Sequence, residues 1–387
     1  MRFSQRCPDD GGPPNPVAAA RAELTAAGVA VTDLTDTNPT RHGLLDPRVL
    51  DAVGAAAARA GHYDPDPRGW VGAREALAAR FGGHPDEYWL TASTSEAYGW
   101  AFTLLADPGD AVAIPTPGYP LIEPLARLAA IRTHPYRTRY LHPSGWEYDL
   151  DSVEAALSDP AVRALVVVNP NNPTGAYTDA AHAEALAGLC AAHGASLIAD
   201  EVFWPFALDA PATHIRVAEA ADATSLTLDG LSKLLAAPQL KLGWFRLSGA
   251  GDGEAARRLD AIADAYLSVN TPVALALPAL LELADATVAR VRTRLGANLA
   301  TLHAAFADGG YRVRTAQGGW MALLDVPPLA AGTDLAVHLL RHAHLGVHPG
   351  WFYDLASPAA LALSLLPEPE AFDAGCRRLR QAIDALD

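Results

Sequence analysis

Hydrophobic positions follow two different periodicities between about residues 70 and 250. Short continuous apolar runs, such as "RALVVVN", "SLIAD" and "SLTLDG", have the length and composition of buried β-strands. Longer segments between the runs, such as "VGAREALAARFGG" and "SEAYGWAFTLLA", have the spacing and composition of helices. Apolar strands separated by helices predict an α/β architecture, in which a mostly parallel sheet is covered on both faces.

The pattern changes in the last third of the chain. One long helix is predicted over "VALALPALLELADATVARVRTRLGANLATLHAAFA", followed by short strands at "YRVRT" and "WMALLDV" and a last helix at "FDAGCRRLRQAIDAL". Near the start, Asn15 and Pro16 are typical of a helix N-terminus. We therefore predict a large domain over residues 43–275, and a smaller α+β domain over 276–387 that the N-terminal segment 1–42 joins.

Composition and charge limit the classes of partner. The 387-residue chain carries a formal net charge of −15, which argues against nucleic acid or an anionic membrane as its main partner. Three cysteines without C-x-x-C spacing favour reduced thiols in a cytoplasmic protein. The Pro- and Gly-rich start lacks the apolar run of a signal peptide, and no apolar window is long enough to span a membrane. We expect a cytoplasmic protein that binds neither nucleic acid nor membrane.

The two lysines of the chain, Lys233 and Lys241, lie in one segment, "DGLSKLLAAPQLKLGW", and every other basic residue besides histidine is arginine. Arginine stays protonated in proteins, whereas the pKa of a lysine is readily lowered until it is a neutral, nucleophilic amine. A lysine retained in such a chain therefore indicates a Schiff base with a carbonyl cofactor. The alternative is a pair of neighbouring lysines on the surface. Gly230 and Ser232 are small, which would let the backbone before Lys233 approach a cofactor.

Further polar residues follow predicted strands. "VVVNPNNPTG" runs from a buried strand into a turn that contains Asn172, and Asp200 ends the next strand at the same predicted edge of the sheet. Ligands of open α/β sheets bind at that edge, although ordinary turns use the same residues. Asp200 also resembles a nucleotide-binding aspartate, but neither lysine follows a glycine as a P-loop requires.

Hydroxyl side chains and an aromatic ring complete the set. Ser93, Thr94 and Ser95 lie between a strand and a helix, where hydroxyls and N–H groups form either a phosphate site or a simple helix cap. Tyr119, in "PTPGYP", is placed either to stack on a flat ring or only to pack.

Taken together, these segments resemble the class I/II aminotransferases, which are fold type I enzymes dependent on pyridoxal 5′-phosphate. The motifs "YDPDPRGWVGAREAL", "TASTSEAY", "PTPGYP", "NPNNPTG", "ADEVF" and "GLSKLLAAPQLKLGW" occur in the family's order over nearly the whole chain. The resemblance implies a mostly parallel seven-stranded sheet in the large domain and a homodimer.

The same resemblance assigns roles by motif. Lys233 would form the Schiff base and Asp200 would pair with the pyridine nitrogen, while Asn172 would bond the ring's phenolic oxygen and Tyr119 would stack on the ring. The phosphate would be bound by Ser93, Thr94, Ser95, Ser232 and Lys241 of one chain and Tyr63 of the partner subunit.

The chain departs from the family's pattern at three positions. Lys241 stands where an arginine usually contacts the phosphate, and Phe203 replaces a tyrosine whose hydroxyl would bond the ring oxygen. Ala362, in "LALSLLPEPE", replaces the arginine that binds the substrate carboxylate. Arg41 is the first candidate to replace that arginine, unless it is a surface residue. Trp320 either lines an apolar substrate site or belongs to the core.

These observations predict an aminotransferase that moves an amino group between an amino donor, such as an amino acid, and a keto acid. A pyridoxal-phosphate lyase or decarboxylase on the same fold stays open as an alternative. We expect no metal site, since the histidines of "RHAHLGVH" lack interleaved acids and only His344 and His348 could share a helix face.

Overall fold

The computed structural model describes residues 3–8, 12–208, 214–249, 252–267, 269–327, 334–357 and 359–386. Helices and strands alternate along most of this length. The helices are α1 Pro16–Ala26, α2 Pro47–Ala57, α3 Val71–Phe81, α4 Thr94–Leu105, α5 Ile122–Leu128, α6 Leu150–Leu157, α7 Ala180–His193, α8 Leu231–Leu234, α9 Asp252–Tyr266, α10 Thr271–Glu282, α11 Ala284–Ala305, α12 Leu335–Ala343 and α13 Pro369–Asp384. The strands are β1 Thr32–Asp33, β2 Tyr88–Thr91, β3 Ala111–Thr116, β4 Arg132–Leu141, β5 Gly145–Tyr148, β6 Val162–Val168, β7 Ser196–Asp200, β8 Ser225–Gly230, β9 Gly243–Ser248, β10 Arg312–Val313, β11 Met321–Asp325, β12 Leu345–Gly346, β13 His348–Pro349 and β14 Ala360–Ser364.

The predicted α/β sheet is present, and it has eight strands rather than the expected seven. Its order is β2-β9-β8-β7-β6-β3-β4-β5, with β9 and β5 antiparallel to their neighbours and the other strands parallel to one another. The extra strand is β5, which pairs with β4 as a hairpin at one edge. Many residues of β4 are polar and exposed. A search for apolar runs in the sequence therefore does not find this hairpin.

Both faces of the sheet are buried, as continuous apolar strands require. In β6, Val166 packs into the core formed with α4, α5 and α9, whereas Leu165 and Val167 pack against α6 and α7. Successive side chains of a strand point to opposite faces, so helices cover the sheet on both sides.

The C-terminal part contains a second sheet with the order β10-β11-β14-β13. Strand β1 from the N-terminal segment pairs in parallel with β12, and α1 packs against α12. These contacts link the first residues of the chain to its last third. The exact domain boundaries, 1–42, 43–275 and 276–387, stay a prediction.

The single long helix predicted from the sequence is wrong. Two helices, α10 and α11, occupy this segment and are bent by 68° between Glu282 and Ala284. The physical reason is tertiary packing: most of α10 packs into the core formed with α2 and α3, whereas most of α11 packs into the core formed with α13. In the described part of the chain, no helix by itself has the length and apolar character to cross a membrane, and this bent pair has them only when taken together.

Five parallel strands bring their carboxyl ends to one edge of the large sheet. Strands β2, β3, β6, β7 and β8 end there at Thr91, Thr116, Val168, Asp200 and Gly230. The segment that follows each strand carries residues selected in the sequence, so the sheet topology gathers them at that edge.

Candidate functional site

A cavity of about 320 Å³ lies at this edge of the sheet. Ten of the twelve residues proposed from the sequence line it: Ser93, Thr94, Ser95, Tyr119, Asn172, Asp200, Ser232, Lys233, Lys241 and Trp320. Other lining residues were not selected as binding residues from the sequence, among them Thr37, Tyr98, Leu121, Ile122, Leu242 and Met321.

Two residues proposed from the sequence lie outside this cavity. Arg41 has a side chain that is 70% exposed, with its guanidinium 3.3 Å from Asp36. Tyr63 is 68% exposed. Neither residue is part of the cavity lining within one chain.

The N-terminus of α4 forms one wall of the cavity. Ser93 caps the helix, with its Oγ accepting a hydrogen bond from the N–H of Glu96 at 3.2 Å, while Glu96 Oε2 accepts from the N–H of Ala92 at 2.5 Å. This is an S-x-x-E capping arrangement. The first N–H groups of a helix have no acceptor within it, and together with the hydroxyls of Thr94 and Ser95 they suit a phosphate group.

Glycine permits the close packing behind this helix terminus. A Cβ atom on Gly243 would lie 3.1 Å from both the carbonyl carbon of Ser93 and the nitrogen of Thr94. The absence of a side chain therefore lets β9 run directly beside the first turn of α4. The adjacent Lys241 adopts a left-handed backbone conformation, with φ 52°, where the chain turns before this strand.

The asparagines of "NPNNPTG" have different functions. Asn169 bonds the N–H of Thr178 and the carbonyl of Ile215, and Asn171 accepts from the Thr174 hydroxyl at 2.9 Å. Asn172 lines the cavity, and its buried Oδ1 has no hydrogen-bond partner in the described part of the chain. The first two asparagines shape the loop, so only Asn172 has a side chain available to a ligand.

Asp200 is buried at the end of β7. Tyr98 donates its hydroxyl hydrogen to Oδ2 at 3.0 Å, and the N–H of Val202 donates to Oδ1 at 3.3 Å. Burial raises the pKa of Asp200, although these donors and the nearby ammonium of Lys233 favour the ionised form. The next residue, Glu201, instead forms an ion pair with Arg216 away from the cavity.

Lys233 projects from the one-turn helix α8 between two aromatic rings. Its Nζ lies 5.4 Å from the centroid of Phe203 and 4.9 Å from the centroid of Trp320. Desolvation lowers the pKa of Lys233, and the charge of Asp200 opposes this effect. A lowered pKa increases the fraction of the neutral amine, which is the form that attacks a carbonyl.

Position 362 provides no charge to the site. Ala362 is buried in β14, where it pairs with Leu323 and His348 and packs in an apolar cluster with Met321 and Tyr353. Met321 also lines the cavity. This side of the cavity is therefore apolar.

The prediction that His344 and His348 could share a helix face is wrong. Helix α12 ends at Ala343, so His344 is its C-cap residue and His348 lies in β13 rather than on the same helix face. In the described part of the chain, no group of three or more His, Cys, Asp or Glu side chains is arranged to bind a metal ion.

The fold and the site together are those of an aminotransferase-type α/β protein. The family model described as "Aminotransferase class I and II" matches residues 33–379, and the chain belongs to this family. Enzymes of this family and fold depend on pyridoxal 5′-phosphate as their cofactor.

Comparisons with individual proteins agree with the family. The chain is 32% identical to the alanine aminotransferase of Mycobacterium bovis over 244 residues, which are 60% of this chain and 56% of that protein. It is 33% identical to nicotianamine aminotransferase B of Hordeum vulgare over 269 residues, or 63% and 47% of the two chains. The matches thus span about half the length of these relatives.

Two solved structures are similar to nearly the whole chain. The alanine aminotransferase of Pyrococcus furiosus superposes with a TM-score of 0.89 at 22% identity, covering 99% of this chain and 100% of that one, and it shows the fold. A double mutant of the Thermus thermophilus aspartate aminotransferase superposes with a TM-score of 0.86 at 26% identity and the same coverage.

The residues present fit pyridoxal phosphate. The cavity combines a helix N-terminus with hydroxyls for an anion, the amide side chain of Asn172, a buried carboxylate and a half-buried amine. Pyridoxal phosphate is a cationic ring that carries an aldehyde and a phosphate group. It therefore has a complementary group for each of these features of the cavity.

Lys241 gives a prediction about cofactor affinity. Lys241→Ala should weaken pyridoxal phosphate binding by about 10- to 100-fold, because a charge-assisted contact with the phosphate is lost. Lys241→Arg keeps the charge and should bind within a few-fold of the unaltered protein. Fluorescence titration with pyridoxal phosphate and with pyridoxal, which lacks the phosphate, measures the effect. Equal weakening for both ligands would contradict the phosphate contact.

Phe203 gives a prediction about pH dependence. Phe203→Tyr should lower the pKa of the absorption change of the bound cofactor by about one unit, because a hydroxyl donor would stabilise the anionic ring oxygen. Phe206 also packs edge-on against Trp320, but it does not line the cavity, so Phe206→Tyr is the matched control. An unchanged or raised pKa in Phe203→Tyr would refute the prediction.

Proposed function

We propose that this protein is a pyridoxal-phosphate-dependent aminotransferase that moves an amino group between an amino donor, such as an amino acid, and a keto acid. The observation that carries the proposal is the half-buried amine of Lys233 in the same cavity as the buried Asp200 carboxylate. When bound, the cofactor supplies an aldehyde that reacts with amines and a ring that accepts electrons.

The lining residues selected from the sequence each have a binding role in this proposal. Ser93, Thr94, Ser95, Ser232 and Lys241 bind the phosphate through hydroxyls, N–H groups and one positive charge. Lysine in place of the family's arginine makes this a point-charge contact rather than a bidentate one.

The ring is bound by three further residues. Asn172 would donate to the phenolic oxygen, Tyr119 would pack on the ring face, and Asp200 would pair as an anion with the ring nitrogen. A carboxylate held next to a ring nitrogen favours its protonated, electron-accepting form.

Lys233 first provides the amine that holds the cofactor and then serves as the general acid–base group. Once released by a donor amine, Nζ would be a free amine in the cavity. It would be the group that accepts and returns the proton during the transfer. Proximity makes a single amine sufficient for this transfer.

The substrate contacts involve Trp320 and Arg41. Trp320 provides an apolar surface beside Lys233. Arg41 is the candidate for the substrate carboxylate, in place of the arginine that Ala362 replaces. The chain would then resemble a subfamily that has lysine in place of the phosphate arginine and lacks the C-terminal arginine for the carboxylate.

A homodimer in the cytoplasm completes the proposal. Leu50, Tyr63, Trp70 and Val71 are large apolar residues that are exposed in a single chain, and the proposed second copy would cover them. In such a dimer Tyr63 would contact the phosphate in the partner's cavity. Participation in amino-acid metabolism follows from the proposed substrates.

The experiment is a spectral screen of the cofactor-loaded protein. Amino acids and simple amines are added singly, and conversion to the pyridoxamine form is followed by absorbance; a keto acid should then restore the original spectrum. Turnover without a keto acid would favour the alternative, a lyase or decarboxylase that uses the same cavity. Failure of every donor to change the spectrum would contradict both functions.

A further inference from the structure

The Tyr98 hydroxyl contacts the Asp200 carboxylate at the bottom of the cavity, and this residue was not singled out by the sequence. Tyr98 is almost fully buried, and its hydroxyl lies 3.0 Å from Asp200 Oδ2. Tyr98 and Thr94 are four residues apart in α4 and so lie on the same helix face. One helix therefore reaches both the phosphate end and the carboxylate end of the site.

We propose that Tyr98 is a positioning residue that holds Asp200 oriented and ionised toward the ring nitrogen of the cofactor. The proposal rests on the function proposed above, because it requires pyridoxal phosphate in this cavity. It adds a residue that touches the carboxylate rather than the cofactor.

The geometry gives the carboxylate one donor for each oxygen. The N–H of Val202 lies 3.3 Å from Oδ1 and the hydroxyl of Tyr98 lies 3.0 Å from Oδ2. The Val202 contact is part of the main chain, whereas the Tyr98 contact depends on a side chain from another element. Tyr98 is therefore the donor that substitution can remove.

Charges around the pair favour this role. Burial and the facing carboxylate raise the pKa of Tyr98 well above its ordinary value, so the phenol stays protonated and can only donate to a carboxylate. The ionisable groups that influence Asp200 are Lys233 in α8, Tyr98 in α4 and Asp229 at the end of β8. Burial disfavours the charge on Asp200, and the Tyr98 hydrogen bond opposes that effect.

The test removes only the hydroxyl group of Tyr98. Tyr98→Phe keeps the ring and removes the donor, which raises the pKa of Asp200 and weakens its interaction with a protonated ring nitrogen. Tyr136→Phe is the matched control, because Tyr136 is equally buried but bonds the carbonyl of Val166 at 2.8 Å. Both variants lose one buried hydroxyl, and only one loses a contact with Asp200.

Binding is measured with two ligands, pyridoxal phosphate and 1-deazapyridoxal phosphate, in which carbon replaces the ring nitrogen. We expect Tyr98→Phe to weaken pyridoxal phosphate binding by about 10-fold and deaza-analogue binding by less than about twofold. Tyr136→Phe should leave the ratio of the two affinities unchanged. An unchanged ratio in Tyr98→Phe, or the same change in Tyr136→Phe, would overturn the proposal.

A double-mutant comparison shows whether Tyr98 acts through Asp200. In an Asp200→Asn background, Tyr98→Phe should have no further effect on the ratio of the two ligand affinities, and an additive effect would overturn the proposal.

If Tyr98→Phe does not fold, Tyr98→Met also lacks the donor and allows the same comparison. If the unaltered protein binds neither ligand, the proposed function fails, whereas an unchanged ratio in a protein that binds both ligands refutes only the role of Tyr98.

Discussion

Replacing Lys233 with alanine is expected to lower the turnover of an amino donor by about 10⁴-fold, because we propose the residue as both the attachment point and the proton-transfer group. Added pyridoxal phosphate should not restore the rate. Lys241→Ala is the control, since its rate should recover at saturating cofactor. Steady-state turnover at increasing cofactor concentration measures the difference. Turnover of Lys233→Ala at the parent rate would refute the assignment.

The composition of the chain makes the attachment site easy to locate. Borohydride reduction of the loaded protein should fix the cofactor covalently, and only two lysine side chains can carry it. Peptide mass spectrometry should find the label on Lys233 and none on Lys241. A small primary amine added to Lys233→Ala should recover part of the lost rate, because it replaces the missing base. Label on Lys241 would contradict the proposed geometry.

Asp200→Asn is expected to lower turnover by about 10²- to 10³-fold, because the neutral amide no longer stabilises positive charge on the ring nitrogen. The rate constant for conversion of the bound cofactor by a saturating donor measures this effect. The pKa of the ring nitrogen should fall in the variant, so the loss should be larger at high pH.

Asp260→Asn serves as the control for the loss of a carboxylate. Asp260 bonds Arg68 at 2.7 Å and the indole of Trp89 at 3.0 Å, and it does not line the cavity. Its substitution should lower the free energy of unfolding and leave the turnover of folded protein unchanged. Equal losses of turnover in the two variants would show that Asp200 acts only on stability.

Strands were predicted best where both faces are buried. Strands such as β6 and β7 contain short continuous apolar runs, so their position follows from the sequence pattern. Strand β4 consists almost entirely of exposed and partly buried residues, and the edge strand β5 is defined by its pairing with β4. The bend between α10 and α11 likewise depends on two separate cores.

Residues of the site were predicted where their chemistry is distinctive. A lysine in a chain with two lysines is conspicuous, and an acid at the end of an apolar strand is visible in the sequence. Tyr98 has no such signal, because an aromatic residue within an apolar helix is typical of ordinary packing. Only the contact of its hydroxyl with Asp200 distinguishes it.

The sequence by itself determined the α/β class, the strand ends that carry polar residues, and the selection of Lys233 and Asp200, because these depend on local periodicity and on side-chain chemistry. The tertiary structure alone decided the contact of Tyr98 with Asp200, the pairing of β5 with β4 and the bend between α10 and α11. It also shows why the selected residue of each neighbouring polar pair faces the cavity. Asn172 rather than Asn171, and Asp200 rather than Glu201, lie at the site because their neighbours are already bonded to the loop or to an arginine. Such choices depend on the sheet pleat and on contacts between distant segments, which a one-dimensional pattern does not contain.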